Sequence, residues 1–313
     1  MQTILGATGQ IAVQLARELH SEHPEGLRLV SRNPRKVNDS DELVRADLLD
    51  AAQTTAAIEG SSIVYFTAGL PANTELWEQQ FPTMLQNALH AARAAGAKFA
   101  YFDNTYMYPQ DDRIQTEDTP FEPAGRKGRV RAAMASTVLE EMARGDIPVL
   151  IARAPEFYGP GRTQSFTNAL ITNRLRKGQK PLVPVRDDRA RSLIWTPDAS
   201  RGLAVLGNTP DAFGQTWHLP IDGDRPTYRQ FVTMASEAFG RDPGYTVLPR
   251  WALGAAGLFS PRTRELRELL PRYQYDSLFD STKFATRFPA FAVTSYRDGL
   301  NAIRRQADAE RTV

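Results

Sequence analysis

The sequence predicts an α/β fold: a doubly wound parallel sheet covered by helices, with a smaller, mostly helical C-terminal lobe. Three observations carry that expectation. Short apolar runs alternate with stretches of helical periodicity as far as IPVLIAR at 147–153. The first run ends in a glycine-bearing turn that leads straight into a helix. After YGPGR at 158–162 the alternation loosens into segments rich in Pro, Gly and charge.

Taken in order, MQTILGATGQIAVQLARELH holds a short apolar run, a tight turn, and then Ile11, Val13, Leu15, Ala16 and Leu19 at helical spacing. LRLVSR at 27–32, SIVYFTAG at 62–69, KFAYFDN at 98–104 and IPVLIAR at 147–153 are the further strands expected, with helical periodicity at 76–96 and after GRKGRVR at 125–131. Strands that alternate with helices need crossover connections, which makes the sheet parallel and covers both of its faces. SLIWTPDASRGLAVL and QTWHLP return a helix and a strand to the main layer. Residues 224–313 are expected to be mostly helical, broken by proline at 226, 243, 249, 261, 271 and 289. The expected division is 1–158 plus 191–223 for the sheet-bearing domain and 159–190 plus 224–313 for the lobe.

Composition narrows the functional classes. A chain of 313 residues, 42% hydrophobic and 24% charged, has the make-up of an ordinary soluble globular protein. A formal charge of +2 gives no reason to expect nucleic acid or an anionic membrane as a partner. The absence of cysteine excludes disulfides, thiolate nucleophiles and Cys-ligated zinc. The longest apolar run, WALGAAGLF at 251–259, is far shorter than the roughly 20 residues of a spanning helix. Met1 is followed by no export signal, so a cytoplasmic location is the expectation. Histidines at 20, 23, 90 and 218 lack metal-ligand spacing, and no metal site is expected. No GxSxG elbow supports a hydrolase. RLRKGQK at 174–180 and RDDRAR at 186–191 lack interleaved aromatics and are read as a solvated basic surface.

The first turn reads Gly6-Ala7-Thr8-Gly9-Gln10-Ile11-Ala12. Glycine lets the backbone approach a pyrophosphate closely, and the helix N-terminus behind it supplies N–H groups and a favourable field, so Gly6, Thr8, Gly9, Gln10 and Ile11 are the expected contacts of a dinucleotide. Ala12 stands where the fullest pattern has a third glycine. The second strand ends in Ser31-Arg32-Asn33-Pro34-Arg35-Lys36, without the carboxylate that would accept from an NAD ribose. A guanidinium there suits a 2′-phosphate, so NADP is expected over NAD, with Ser31, Arg32 and Lys36 as contacts. The alternative is that Arg32 and Lys36 are solvated loop cations. Asp47 and Thr67-Ala68-Gly69 are expected to flank the adenine and a ribose.

These segments resemble the extended, sugar-epimerase-like branch of the short-chain dehydrogenase/reductase superfamily, a Rossmann fold. GATGQIA is similar to the branch's GxxGxxG, and IARAPEFYGPG at 151–161 to its RPxNxYGPG. YFDNTYMYP at 101–109, TEDTPFEP at 116–123 and, more loosely, WTPDAS at 195–200 follow in the right order. The resemblance implies an NADP(H)-dependent oxidoreductase or epimerase-like enzyme whose C-terminal lobe closes over a small carbonyl or hydroxyl substrate. It also implies a Ser or Thr on the fourth strand and a Tyr and Lys in YxxxK. Those positions fall on Asn104, Lys127 and Arg131, so the chain is identified as an atypical member with a non-standard catalytic centre.

Arg131 can offer a cation to the cofactor ribose, although a guanidinium does not exchange protons near neutrality. Lys127, desolvated beside it, either exchanges a proton or stays charged and clamps an anionic substrate. Tyr106, Tyr108 and Tyr158 are alternative phenolic acids, each with a plain packing role as its rival. Glu156, in place of a family Asn, either adds a carboxylate to the pocket or caps a loop. Arg191 either enters the substrate cleft, as a basic residue does in sugar-nucleotide relatives, or belongs to the solvated lobe. The competing expectation is a redox-silent NADP-binding regulator. By analogy, the helices at 76–96 and 129–143 would pair in a homodimer.

Overall fold

The structure, a computed structural model, describes residues 1–22, 26–161, 163–252, 265 and 267–312. His23, Pro261 and residues 253–259 of the longest apolar run lie outside the described residues.

In chain order the elements are β1 (Gln2–Leu5), α1 (Gln10–Glu22), β2 (Leu27–Ser31), β3 (Glu42–Arg45), α2 (Ala51–Ile58), β4 (Ile63–Phe66), α3 (Thr74–Ala95) and β5 (Lys98–Asp103). Then come β6 (Ile114–Gln115), α4 (Gly125–Arg144), β7 (Val149–Arg153), β8 (Glu156–Tyr158), a π-helical turn running into α5 (Asn173–Arg176), β9 (Leu182–Pro184) and β10 (Leu193–Trp195). The chain continues with α6 (Thr196–Gly207), β11 (Gln215–His218), α7 (Tyr228–Phe239), β12 (Thr246–Leu248), β13 (Leu278–Phe279), α8 (Thr282–Arg287) and α9 (Tyr296–Thr312). They form two compact units.

The first unit comprises 1–107, 126–154 and 199–219. Its sheet has seven strands in the order β11-β7-β5-β4-β1-β2-β3, every pair parallel. The expected doubly wound fold is therefore the observed one. β4 and β7 are buried at every position, as strands covered on both faces must be. QTWH forms β11 and joins this sheet beside β7, as expected, whereas LIW forms β10 and pairs with β8 instead. β3 is a largely exposed edge strand, and neither it nor α2 stands out in the sequence. Helix ends follow local chemistry: Asn73 accepts from Leu76 N to start α3, and Gly96, at φ +62°, ends it.

The sheet order reverses beside β1, with β2 on one side and β4 on the other, and a crevice at such a switch point is where open α/β sheets bind ligands. Gly6 lies there at φ +84°, and a Cβ at that position would fall 2.5 Å from Ala68 Cα. Both the dihedral and the space demand glycine.

The second unit comprises 108–125, 155–198 and 220–313. It holds three two-stranded parallel ladders, β8 with β10, β9 with β12 and β6 with β13, and the helices α7 and α9. Its core is aromatic: Tyr158 lies 5.1 Å from Trp195, 5.6 Å from Phe231 and 5.4 Å from Tyr296 between ring centroids. A reciprocal cap between Thr227 and Gln230 opens α7, and Gly240 closes it. Pro271 does not break a helix; it sits within a 3₁₀ segment at Arg267–Gln274.

Replacing Gly6 by Ala is expected to cost about 1–3 kcal/mol from the left-handed dihedral alone, with the clash against Ala68 adding to it. Urea denaturation measures the loss, and a Gly6→Ala variant as stable as its parent would remove the close approach from the account.

Candidate functional site

The site is built within the first unit, at the carboxyl ends of β1, β2, β4 and β5. Gly6 N and Ala7 N both donate to Val30 O, at 3.0 and 3.1 Å, which fixes the turn against the end of β2. Gly9 N donates to Gly6 O at 3.0 Å. What remains facing outward is the first turn of α1, where Gln10, Ile11 and Ala12 carry the N–H groups that a helix leaves without intrahelical acceptors. Thr8 and Gly9 are exposed beside them. Ala12 is buried, so a small side chain satisfies the packing that a third glycine would serve. Ser200 Oγ donates to Ile11 O at 3.0 Å and pins the helix start.

Across the switch point, Thr67 N and Oγ1 both donate to Leu5 O, at 3.1 and 2.8 Å. Its hydroxyl proton is thus committed to the scaffold. Ala68 backs Gly6, and Gly69 is exposed with open space around it.

A recess of about 470 Å³ opens at the ends of β2 and β3, lined by Arg32, Asn33, Arg45, Ala46, Asp47 and Gln53. Ser31, opposite Arg45 in the ladder, has a buried Oγ without a hydrogen-bond partner. Asp47 is held in place: its Oδ1 accepts from Leu49 N at 3.1 Å, and its N–H donates to Gln53 Oε1 at 3.0 Å. Lys36 is not among the lining residues; its ammonium donates to Asp39 O at 2.5 Å. Arg45 is the cation that sequence reasoning missed, because β3 itself went unrecognised.

The positions matched to a catalytic set gather around β5 and α4. Asn104 Oδ1 accepts from Tyr106 N at 2.9 Å, so this side chain shapes its own loop. Tyr106 is half-buried and stacks on Trp77 with ring centroids 6.1 Å apart. Lys127 is buried, and its Nζ donates to Thr74 Oγ1 at 2.5 Å. One turn on, Arg131 Nη2 donates to Asp103 Oδ1 at 2.7 Å, and its guanidinium lies over the rings of Phe81 and Tyr101. Arg153 Nε donates to the other Asp103 oxygen at 3.1 Å. Burial pulls the Arg131 guanidinium down, but Tyr101 and Asp103 outweigh it and the group is held above its ordinary range. Burial likewise pushes the Tyr101 phenol well above its ordinary 10.0.

Three of the four cations of GRKGRVR thereby have partners, and the fourth, Arg129, is exposed. Arg126 Nε donates to Glu78 Oε1 at 2.8 Å, Lys127 reaches Thr74, and Arg131 reaches Asp103. For Arg126 and Lys127, in the first turn of α4, these partners offset the small penalty of placing positive charge there. Thr74 and Asp103 were not singled out from sequence; each lies far along the chain from its cation.

In the second unit Glu156 forms a buried polar box. Its Oε1 accepts from Thr167 Oγ1 and Tyr228 Oη at 2.9 Å each and from Tyr273 Oη at 3.2 Å, and its Oε2 accepts from Arg191 Nη2 at 3.0 Å. Burial raises the Glu156 carboxyl, yet Arg191 and Arg272, with the Thr167 and Tyr228 hydroxyls, outweigh it and hold it below its ordinary 4.5. Arg191 is itself buried, donating also to the carbonyls of Arg272 and Tyr275, so it is neither solvated nor without an internal counter-ion. Tyr108 Oη donates to Thr116 O at 3.0 Å, and Tyr158 is a core aromatic whose buried phenol is pushed far above its ordinary value. Among the described residues no cluster of His, Asp and Glu is arranged to hold a metal, and no helix is long and apolar enough to cross a membrane.

Comparison with known proteins adds to this geometry. A family profile described as the NAD dependent epimerase/dehydratase family matches residues 3–219. A protein of Sinorhizobium fredii, "Uncharacterized protein y4nL", is 25% identical over 66% of this chain, and the match spans 60% of that relative's length. The ceramide reductase of Caulobacter vibrioides is 26% identical over 81% of this chain and 75% of its own. Among solved structures, UDP-glucuronic acid 4-epimerase from Bacillus cereus, in complex with UDP-glucuronic acid and NAD, superposes with a TM-score of 0.80 over 99% of this chain and 100% of that one, at 16% identity. That likeness is one of fold.

Asp103→Asn would leave two buried guanidinia without their shared carboxylate, and a loss of about 3–5 kcal/mol in chemical denaturation is expected. For Glu156 the sign follows from its depressed carboxyl: the stabilisation is complete above 4.5 and disappears as pH falls through the lowered folded value. Glu156→Gln should therefore be less stable than the parent at neutral pH, with the two curves converging in acid. Parallel curves would refute an ionised Glu156.

Proposed function

The chain belongs to the NAD dependent epimerase/dehydratase family, and from that premise we propose an NADP(H)-dependent oxidoreductase or epimerase-like enzyme acting on a small carbonyl or hydroxyl substrate. The observation that carries the cofactor is Gly6: its dihedral and the absence of room for a Cβ make a backbone cradle directly before a helix N-terminus. The orphaned Ser31 hydroxyl and the guanidinium-lined recess beside it fit the adenosine end of the same molecule. In this reading Thr8, Gly9, Gln10 and Ile11 hold the diphosphate, Ser31 and Arg32 the adenosine ribose, and Asp47 the adenine. Thr67, Ala68 and Gly69 form the floor toward the nicotinamide half. Residues 1–158 plus 191–223 serve the cofactor, and 159–190 plus 224–313 serve the substrate.

When bound, the nicotinamide supplies or accepts a hydride at C4. The chain's own part is to position the substrate and move a proton at its oxygen. Lys127 is the group assigned to that proton, because it stands at the position of the family's tyrosine and already hydrogen-bonds a hydroxyl through Nζ. Arg131, stacked on Tyr101 and held by Asp103, keeps a permanent positive charge one turn away. Carbonyl reduction is supported further by the relative named ceramide reductase.

One observation favours a second reading, that of a redox-silent NADP-binding regulator. Asn104, Lys127 and Arg131 each have a partner within the protein fold, as a set retired from chemistry would.

Incubation with stereospecifically deuterated NADPH and a panel of carbonyl compounds separates the two. Label transfer is expected for the enzyme; tight NADPH binding with no transfer to any compound selects the regulator. Lys127→Met should abolish transfer while NADPH still binds, and undiminished transfer would move the proton's assignment to Tyr106.

A further inference from the structure

We infer that Arg45, on the edge strand β3, determines cofactor specificity: with Arg32 it forms the seat for the 2′-phosphate that distinguishes NADP(H) from NAD(H). The inference rests on the dinucleotide reading above and replaces Lys36, the second cation expected from sequence, with a residue from another strand.

Four observations converge on it. Arg32 and Arg45 line one recess together with the Asn33 side of the loop. Among the described residues neither guanidinium is paired with a carboxylate, whereas Arg28, on the neighbouring strand β2, is paired with Glu42 at 3.1 Å. Ser31, directly across the ladder from Arg45, lies outside the lining itself but holds a buried hydroxyl with no partner at the adjoining strand end. Lys36 is turned to the carbonyl of Asp39 and takes no part in the lining.

The charge balance favours an anion. Two guanidinia face one carboxylate in the recess, and that carboxylate, on Asp47, accepts from the Leu49 amide. Gln53, also in the lining, is held rigid by Asp50, its Nε2 donating to Oδ2 at 2.9 Å. A phosphate monoester carries close to two negative charges at neutral pH, with its second pKa near 6, and presents three acceptor oxygens. Two planar guanidinia match those oxygens through paired N–H groups, which a lone ammonium does not. A bare ribose hydroxyl pair offers the recess no such counter-charge.

Titration calorimetry of the full chain with NADPH, NADH, adenosine 2′,5′-bisphosphate and 5′-AMP tests the assignment. The parent should prefer NADPH to NADH and the bisphosphate to 5′-AMP, the preference shrinking below about pH 6 as the phosphate protonates. Arg45→Ala should weaken NADPH and the bisphosphate roughly 10–100-fold while leaving NADH and 5′-AMP unchanged. Arg45→Lys should recover part of that loss, since it keeps the charge without the fork. Equal losses for NADPH and NADH, or no loss of NADPH, overturn the role of Arg45 while leaving the dinucleotide site standing. A folded parent that binds none of the four overturns the proposed function and this inference together.

Discussion

A carboxylate with no exposed surface, Asp103, lies between two guanidinia, and the order of the candidate site depends on that neutralisation. An isolated ionised carboxylate in such a place would be prohibitively costly, and so would either arginine without it. Together they fasten the ends of β5 and β7 to α4. Lys127 lies one turn before Arg131 on the same buried face, and Asn104 is the next residue after Asp103. The unusual residues at these positions therefore complement one another: an arginine on the helix requires an acid at the strand end, and the chain supplies it.

The same physics organises the second unit by itself. Glu156 and Arg191 are buried together, and the three hydroxyls of Thr167, Tyr228 and Tyr273 satisfy the carboxylate's remaining lone pairs. The Arg191 guanidinium also lies 4.8 Å from the Tyr273 ring centroid. Arg191 Nε has no hydrogen-bond partner, but both carboxylate oxygens of Glu156 are paired, and that pairing orients the members of the network because rotating the carboxylate would leave it buried and unpaired.

What the sequence reveals and conceals follows from range. The turn at Gly6 is legible because strand, glycine and helix are contiguous, and β4 and β7 are legible because strands buried on both faces are continuous apolar runs. β3 is hidden because its Glu42 and Arg45 give no such run, and with it Arg45 escapes notice. Asp103 and Thr74 escape for another reason: they meet Arg131 and Lys127 across 28 and 53 positions of chain. Nothing in local pattern announces such a pairing. Arg191 illustrates the converse: the resemblance draws attention to it, but its counter-ion Glu156, 35 residues away, is not visible in local pattern and changes what its charge is for.

The short edge strand carries a colloidal consequence. β3 borders the sheet with a row of backbone groups that no neighbour within the sheet pairs, and Leu43 is 40% exposed upon it. A second molecule adding a strand there would have to seat itself against Glu42 and Arg45, stripping water from both. Those two charges thus act as gatekeepers against edge-to-edge aggregation, and apolar residues in their place would turn a boundary into a template for polymerisation.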